Sequence, residues 1–100
     1  MELIEIQPIP SQSFSLIIDK NQFDISIYPL DNNNMAIDII LNGSPEITGL
    51  KIVPNTLLNP YAKTQNGNFV MSTLDNELIN YKKFGIEQHL YYIPEAELNV

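Results

Sequence analysis

Between Ser13 and Leu41 the chain carries three runs with an apolar residue at every second position, and this alternation restricts the fold more than any other feature. Phe14, Leu16 and Ile18 interleave with Ser13, Ser15 and Asp19, and Phe23, Ile25 and Ile27 interleave with Asp24 and Ser26. A period of two is the side-chain repeat of an extended strand with one buried face. The polar Asp19-Lys20-Asn21-Gln22 segment reads as the turn between two strands, with Ile18 opposite Phe23, Leu16 opposite Ile25 and Phe14 opposite Ile27. A third run, Met35, Ile37, Ile39 and Leu41, follows a loop at Pro29 to Asn34. It can pair with the second run in two registers that keep its apolar face inward. Setting Ile25 opposite Ile37 puts Asp24 against Asp38, and like charges face to face are destabilising, so Ile25 opposite Ile39 is preferred.

The alternation slips after the Asn42-Gly43-Ser44-Pro45 turn, because Ile47 has one parity while Leu50 and Ile52 have the other. Gly49 lies at the slip, which marks a β-bulge that bends the sheet. Asn55 to Pro60 is too short and too close to proline for a full helix, and reads as a turn or one 3₁₀ turn burying Leu57 or Leu58. A hairpin is expected around Gln65 to Asn68, leading into a strand at Phe69 to Thr73. Asp75 to Ile86 has partial helical spacing ending at Gly85 and fits either a short helix or a loop. With strands at Leu3 to Gln7 and at Gln88 to Ile93, the count reaches about seven at short spacing, the pattern of a small all-β barrel or sandwich. We expect mostly antiparallel pairing, at most one short helical turn, one domain over residues 1–100 and a frayed acidic tail at 95–100.

Composition excludes several kinds of chemistry. The absence of cysteine removes disulfides, thiolate metal sites and cysteine nucleophiles. Twelve carboxylates oppose five basic residues, all lysine, so the side chain best suited to bidentate phosphate contacts is missing and nucleic-acid binding is not expected. The apolar fraction of 44% is too high for disorder, yet it contains no run long enough to span a bilayer as a helix. The acidic start, Met1-Glu-Leu-Ile-Glu5, does not resemble an export signal. His89 is the single histidine, and with Glu87 two residues away it falls short of the three protein ligands of catalytic zinc. No G-x-S-x-G elbow is present to supply a serine nucleophile. Asp24 and Asp38 fall on the polar strand face, where carboxylates ordinarily serve solubility and edge protection. No catalytic, cofactor-binding or metal-binding residue is assigned, and an enzyme is not expected.

Apolar residues on the polar parity are more informative. Ile17, Tyr28 and Ile40 lie opposite the core parity, and Tyr91 opposes Leu90 and Tyr92. Either both faces of these strands are covered within the fold, or these residues form a protein-binding surface, since tyrosines and large aliphatics are favoured at interfaces. Ile17, Tyr28, Ile40 and Tyr91 are therefore the candidate interface residues.

Ile6-Gln-Pro-Ile-Pro10-Ser-Gln-Ser-Phe14, Asp38-Ile-Ile-Leu41, Ile47-Thr-Gly-Leu-Lys-Ile52, Leu57-Leu-Asn-Pro-Tyr61, Gly67-Asn-Phe-Val-Met71, Phe84-Gly85 and His89-Leu-Tyr-Tyr92 follow one another in an order that spans nearly the whole chain. In this succession the sequence resembles the baseplate plug proteins of contractile-tailed bacteriophages. The resemblance implies a non-enzymatic structural protein of a phage or prophage-derived tail baseplate, without a cofactor, near the hub and spike beneath the tail tube. It implies hub, spike and tail-tube proteins as partners, multiple copies around the tail axis, and assembly in the bacterial host cytoplasm. An acidic surface near a DNA conduit also fits a protein that must not retain the genome. The competing reading is an acidic phage-encoded inhibitor of a basic host protein; it calls for dense carboxylate rows, whereas the acids here are scattered among lysines.

Overall fold

The alternating segment forms an antiparallel meander. The computed structural model describes residues 1–31, 34–59 and 67–98. Strands β2 (Gln12–Ile18), β3 (Asn21–Asp31), β4 (Asn34–Leu41) and β5 (Ser44–Lys51) lie side by side in chain order. The β2–β3 turn is tighter than the four residues expected. It consists of Asp19 and Lys20 alone, both at positive φ (50° and 67°), the backbone that lets a two-residue hairpin turn follow the twist of its strands. The register consequently moves by two: Phe14 faces Ile25, Leu16 faces Phe23 and Ile18 faces Asn21. A shift of two leaves every side chain on its expected face.

The β3–β4 register is the one favoured by charge, with Ile25 opposite Ile39 and Asp24 opposite Ile40. Pro29 to Asp31, expected in a loop, continue β3 across a register shift. The expected bulge in β5 is present. Pairing shifts between Ile37–Leu50 and Ile39–Ile47, and Gly49 adopts φ +62°. A second shift near Pro45 bends the same strand again.

A second sheet has the order β1 (Glu2–Ile4), β7 (His89–Ile93) and β6 (Asn68–Ser72), all antiparallel. Inward residues of both sheets meet in one core: Phe23, Ile25, Ile27, Ile37 and Ile39 from the first, and Phe69, Met71, Leu90 and Tyr92 from the second. Phe23, Phe69 and Tyr92 form an aromatic triangle with centroid separations of 5.2 to 5.8 Å. The arrangement is a sandwich. The barrel alternative is set aside, because the two sheets do not close onto one another through strand pairing among the described residues.

The connections use side-chain amides where ladder bonds are lacking. Leu58 is buried and its N–H donates to the Phe69 carbonyl, while Leu57 stays exposed and bridges Val70. No 3₁₀ turn forms at 55–59; of the hairpin expected around Gln65 to Asn68, positions 65 and 66 lie outside the described residues. Asp75 to Ile86 is neither one helix nor plain loop. The segment carries 3₁₀ turns at Leu74–Asn76 and Tyr81–Lys83. The fully buried Gln88 amide stitches this segment by donating to the Leu78 carbonyl at 2.9 Å and accepting from the Asn80 N–H at 2.9 Å. Glu95–Leu98, read from sequence as part of a frayed tail, form one α-helical turn, and Glu97 accepts from the Met1 ammonium at 2.6 Å.

Candidate protein-interaction face

Three of the four residues singled out by parity share one surface. Inward Phe23, Ile25 and Ile27 are buried, so the alternate positions of β3 and their cross-strand neighbours point outward. Ile17 lies opposite Gln22, Ile40 opposite Asp24 and Tyr28 opposite Ala36, all on the outer face of the four-stranded sheet. Ile17 is 79% exposed, whereas Ile40 and Tyr28 are half-buried among their neighbours. Tyr91 is not part of this face. It lies on the outer side of the second sheet between Leu3 and Val70, because parity identifies a face but not a sheet.

Hydrogen bonds fix the polar groups of the first face. Asp38 Oδ1 accepts from the Tyr28 hydroxyl at 2.8 Å and from the Gly49 N–H at 2.6 Å, so one carboxylate holds both the tyrosine and the bulge. The hydrogen bond to Asp38, helped by desolvation and by the carboxylate charge, raises the Tyr28 pKa above its ordinary value. Asp24 accepts from the Ser15 hydroxyl and from Gln22 Nε2, and these two bonds, Ser15 first, hold its carboxyl below the ordinary value of 3.8. Ser13 and Ser26 share a hydrogen bond at 2.8 Å. A shallow depression of about 250 Å³ runs between Ser13, Ser15, Asp24, Asp38 and Ile40. Asp24 and Asp38 are each engaged by their own donors and do not face one another.

The residues weighed for metal chemistry are apart from this face. Glu87 lies in the turn before β7, 3.6 Å from the Lys83 ammonium, and His89 packs beside Tyr91 with ring centroids 6.4 Å apart. No cluster of three His, Asp or Glu suited to a metal occurs among the described residues.

Sequence reasoning missed an apolar row on the second sheet. Leu3, Tyr91, Val70 and Leu57 are successive cross-strand neighbours, with Leu3 and Leu57 57% and 43% exposed. Val70 and Leu3 carried a parity signal, but Leu57 joins the row through a bridge from a non-strand segment that no alternation announces. The buried roles of Gln88 and Asn68 were equally silent, since isolated amides have no periodicity.

The fold and this face together define a small antiparallel β-sandwich that presents an acidic, partly apolar sheet surface. Residues 1–95 match the family described as cyanophage baseplate Pam3 plug gp18, and the chain belongs to that family. Membership implies a structural role in the virion tail baseplate, in association with other baseplate or tail proteins. No curated protein matches the chain.

Proposed function

We propose that this protein acts as a non-enzymatic plug near the hub and spike beneath the tail tube, and that it assembles through the outer face of the four-stranded sheet. The observation that carries the reading is the match to the plug family over residues 1–95, joined to a face on which Ile17, Tyr28 and Ile40 interrupt an otherwise polar surface. The face suits protein contact. Ile17 offers apolar area that a partner can bury, while Asp38 pre-orders Tyr28, so little side-chain entropy is lost on docking. Its carboxylates favour a partner with lysine or arginine at the rim and disfavour nucleic acid, in keeping with a place beside a DNA conduit.

Co-expression with hub, spike and tail-tube proteins, followed by size-exclusion chromatography, tests the proposal. A stable complex with one of them is expected, and an Ile17→Asp/Ile40→Asp variant that keeps its circular dichroism spectrum should lose it. A complex that survives in the variant moves the interface, with the Leu3, Tyr91 and Val70 row as the next place to mutate. Failure with every tail protein, together with capture of a basic host protein, would replace the plug reading with the inhibitor reading.

A further inference from the structure

Among the described residues the sandwich has four sheet edges, and three are blunted. β5 carries Pro45, two register shifts and Lys51. β1 is three residues long and begins with Glu2, and β6 is covered by Leu57 and Leu58, which bridge Val70 and donate to Phe69. Such features are how proteins prevent unwanted strand pairing. β2 has none of them: its seven residues include no charge, proline or glycine, and its register with β3 is unbroken. Among the described residues no strand pairs with its other side.

The direction of the free backbone groups follows from Gln22. Its carbonyl accepts from the Asn42 N–H at 2.8 Å and its N–H donates to Asn42 Oδ1 at 2.8 Å, so both groups point away from β2. Ile17, opposite Gln22, therefore turns its own N–H and C=O to the open edge, and so do Ser15 and Ser13 at the period of two.

We propose that β2 is a self-pairing edge at which a second copy of this chain adds antiparallel about a two-fold axis through Ser15. Ser15 is the middle residue of Gln12–Ile18, and pairing about it sets Ser13 opposite Ile17 of the second copy, Ser15 opposite Ser15, and Phe14 opposite Leu16. The residues with free backbone groups then face one another throughout, so every free donor meets an acceptor. Half-buried Phe14 and Leu16 cover each other on the core side, and Ile17 gains cover on the outer side. The charged turn residues Asp19 and Lys20 fall beyond the paired stretch. The two Asp24 carboxylates lie three strand spacings apart, about 14 Å, outside the ~10 Å Debye length of 0.1 M salt. The net charge of −7 opposes association at long range, so added salt strengthens the pair. An isologous contact of this kind closes at two copies. This inference does not depend on the plug role.

Sedimentation equilibrium of the purified protein should show a concentration-dependent dimer that tightens with salt. Ser15→Lys, which sets lysine against lysine on the axis, should remain monomeric with an unchanged circular dichroism spectrum. Cysteine variants test the register in a chain that has no cysteine of its own. Under mild oxidation Ser15→Cys should cross-link at least tenfold faster than Ile17→Cys, because only the axial pair comes within the about 5.5 Å Cα separation that a disulfide spans. Random collision predicts the opposite preference, since Ile17 is the more exposed position. A wild-type protein that stays monomeric at its highest soluble concentration, or Ile17→Cys cross-linking as fast as Ser15→Cys, would overturn the inference.

Discussion

The two sheets of this sandwich are assembled in different ways. The four-stranded sheet is a meander in which every strand pairs with its neighbour in sequence, whereas the three-stranded sheet joins β1 to β7 across most of the chain. In the meander, backbone groups are satisfied by ladders and side chains are left to alternate. In the second sheet, the connections into β6 and β7 have no ladder of their own, and Asn55, Asn68 and Gln88 supply the bonds: Asn68 accepts from the Asn59 N–H and donates to its carbonyl, and Asn55 Oδ1 accepts from the Thr73 N–H. Where alternation ends, side-chain amides take over, buried at Asn68 and Gln88 and exposed at Asn55. The meander should consequently depend on apolar packing, and the second sheet on a few polar side chains that have no substitute.

The strongest test of this contrast is in the meander. Ile37 is fully buried, and Ile37→Ala should cost about 2–5 kcal/mol through lost transfer energy and the cavity left behind. Chemical denaturation would measure it as a lower midpoint, with both sheets unfolding together because they share one core. Gln88→Ala comes next. It orphans the Leu78 carbonyl and the Asn80 N–H at a cost of about 1–3 kcal/mol. Hydrogen exchange should quicken at Asn80 and the neighbouring turns while β3 and β4 amides keep their protection; uniform quickening would break the comparison. Gly49→Ala follows at about 1–2 kcal/mol, since φ +62° is unfavourable for alanine although the space beside the Tyr28 hydroxyl is adequate.

The smallest effect is a pH dependence. Because Ser15 and Gln22 lower the Asp24 pKa in the folded state, the unfolded chain binds its proton first as pH falls. The resulting stability is complete above the ordinary value of 3.8 and is lost as pH drops below it through the folded value. Thermal melts between neutral pH and strong acid should show a shallower decline in Ser15→Ala than in the wild type.

This difference between the sheets also decides what was legible in the sequence. Alternation located β2, β3 and β4, the Asp24 and Asp38 charges selected the correct β3–β4 register, and Gly49 announced the bulge. The β2–β3 register was displaced by two because the turn is formed by Asp19-Lys20, which lacks the Asn-Gly signature that usually reveals two positive φ angles. Asp75 to Ile86 stayed ambiguous because its path depends on Asp75 and Asn76 at positive φ and on Gln88 from farther along the chain. Of the candidate interface, Ile17, Tyr28 and Ile40 fall on one outer face because β2, β3 and β4 belong to one meander. Tyr91 was grouped with them because parity carries no information about which sheet a strand joins.

The tip of the first hairpin is fastened to the opposite sheet. The Tyr92 hydroxyl donates to Asp19 Oδ2 at 3.0 Å, and burial together with that carboxylate raises the Tyr92 pKa and keeps the phenol a donor. The mechanical consequence concerns how the sandwich bears load. Two paired strands pulled apart at their open ends unzip one bond at a time, whereas strands slid past one another must shear many bonds together. Peeling β2 and β3 from the turn must first break the Tyr92–Asp19 bond and draw Phe23 away from Phe69 and Tyr92. Lifting this end of the meander off the second sheet is therefore opposed by a hydrogen bond and by aromatic packing together.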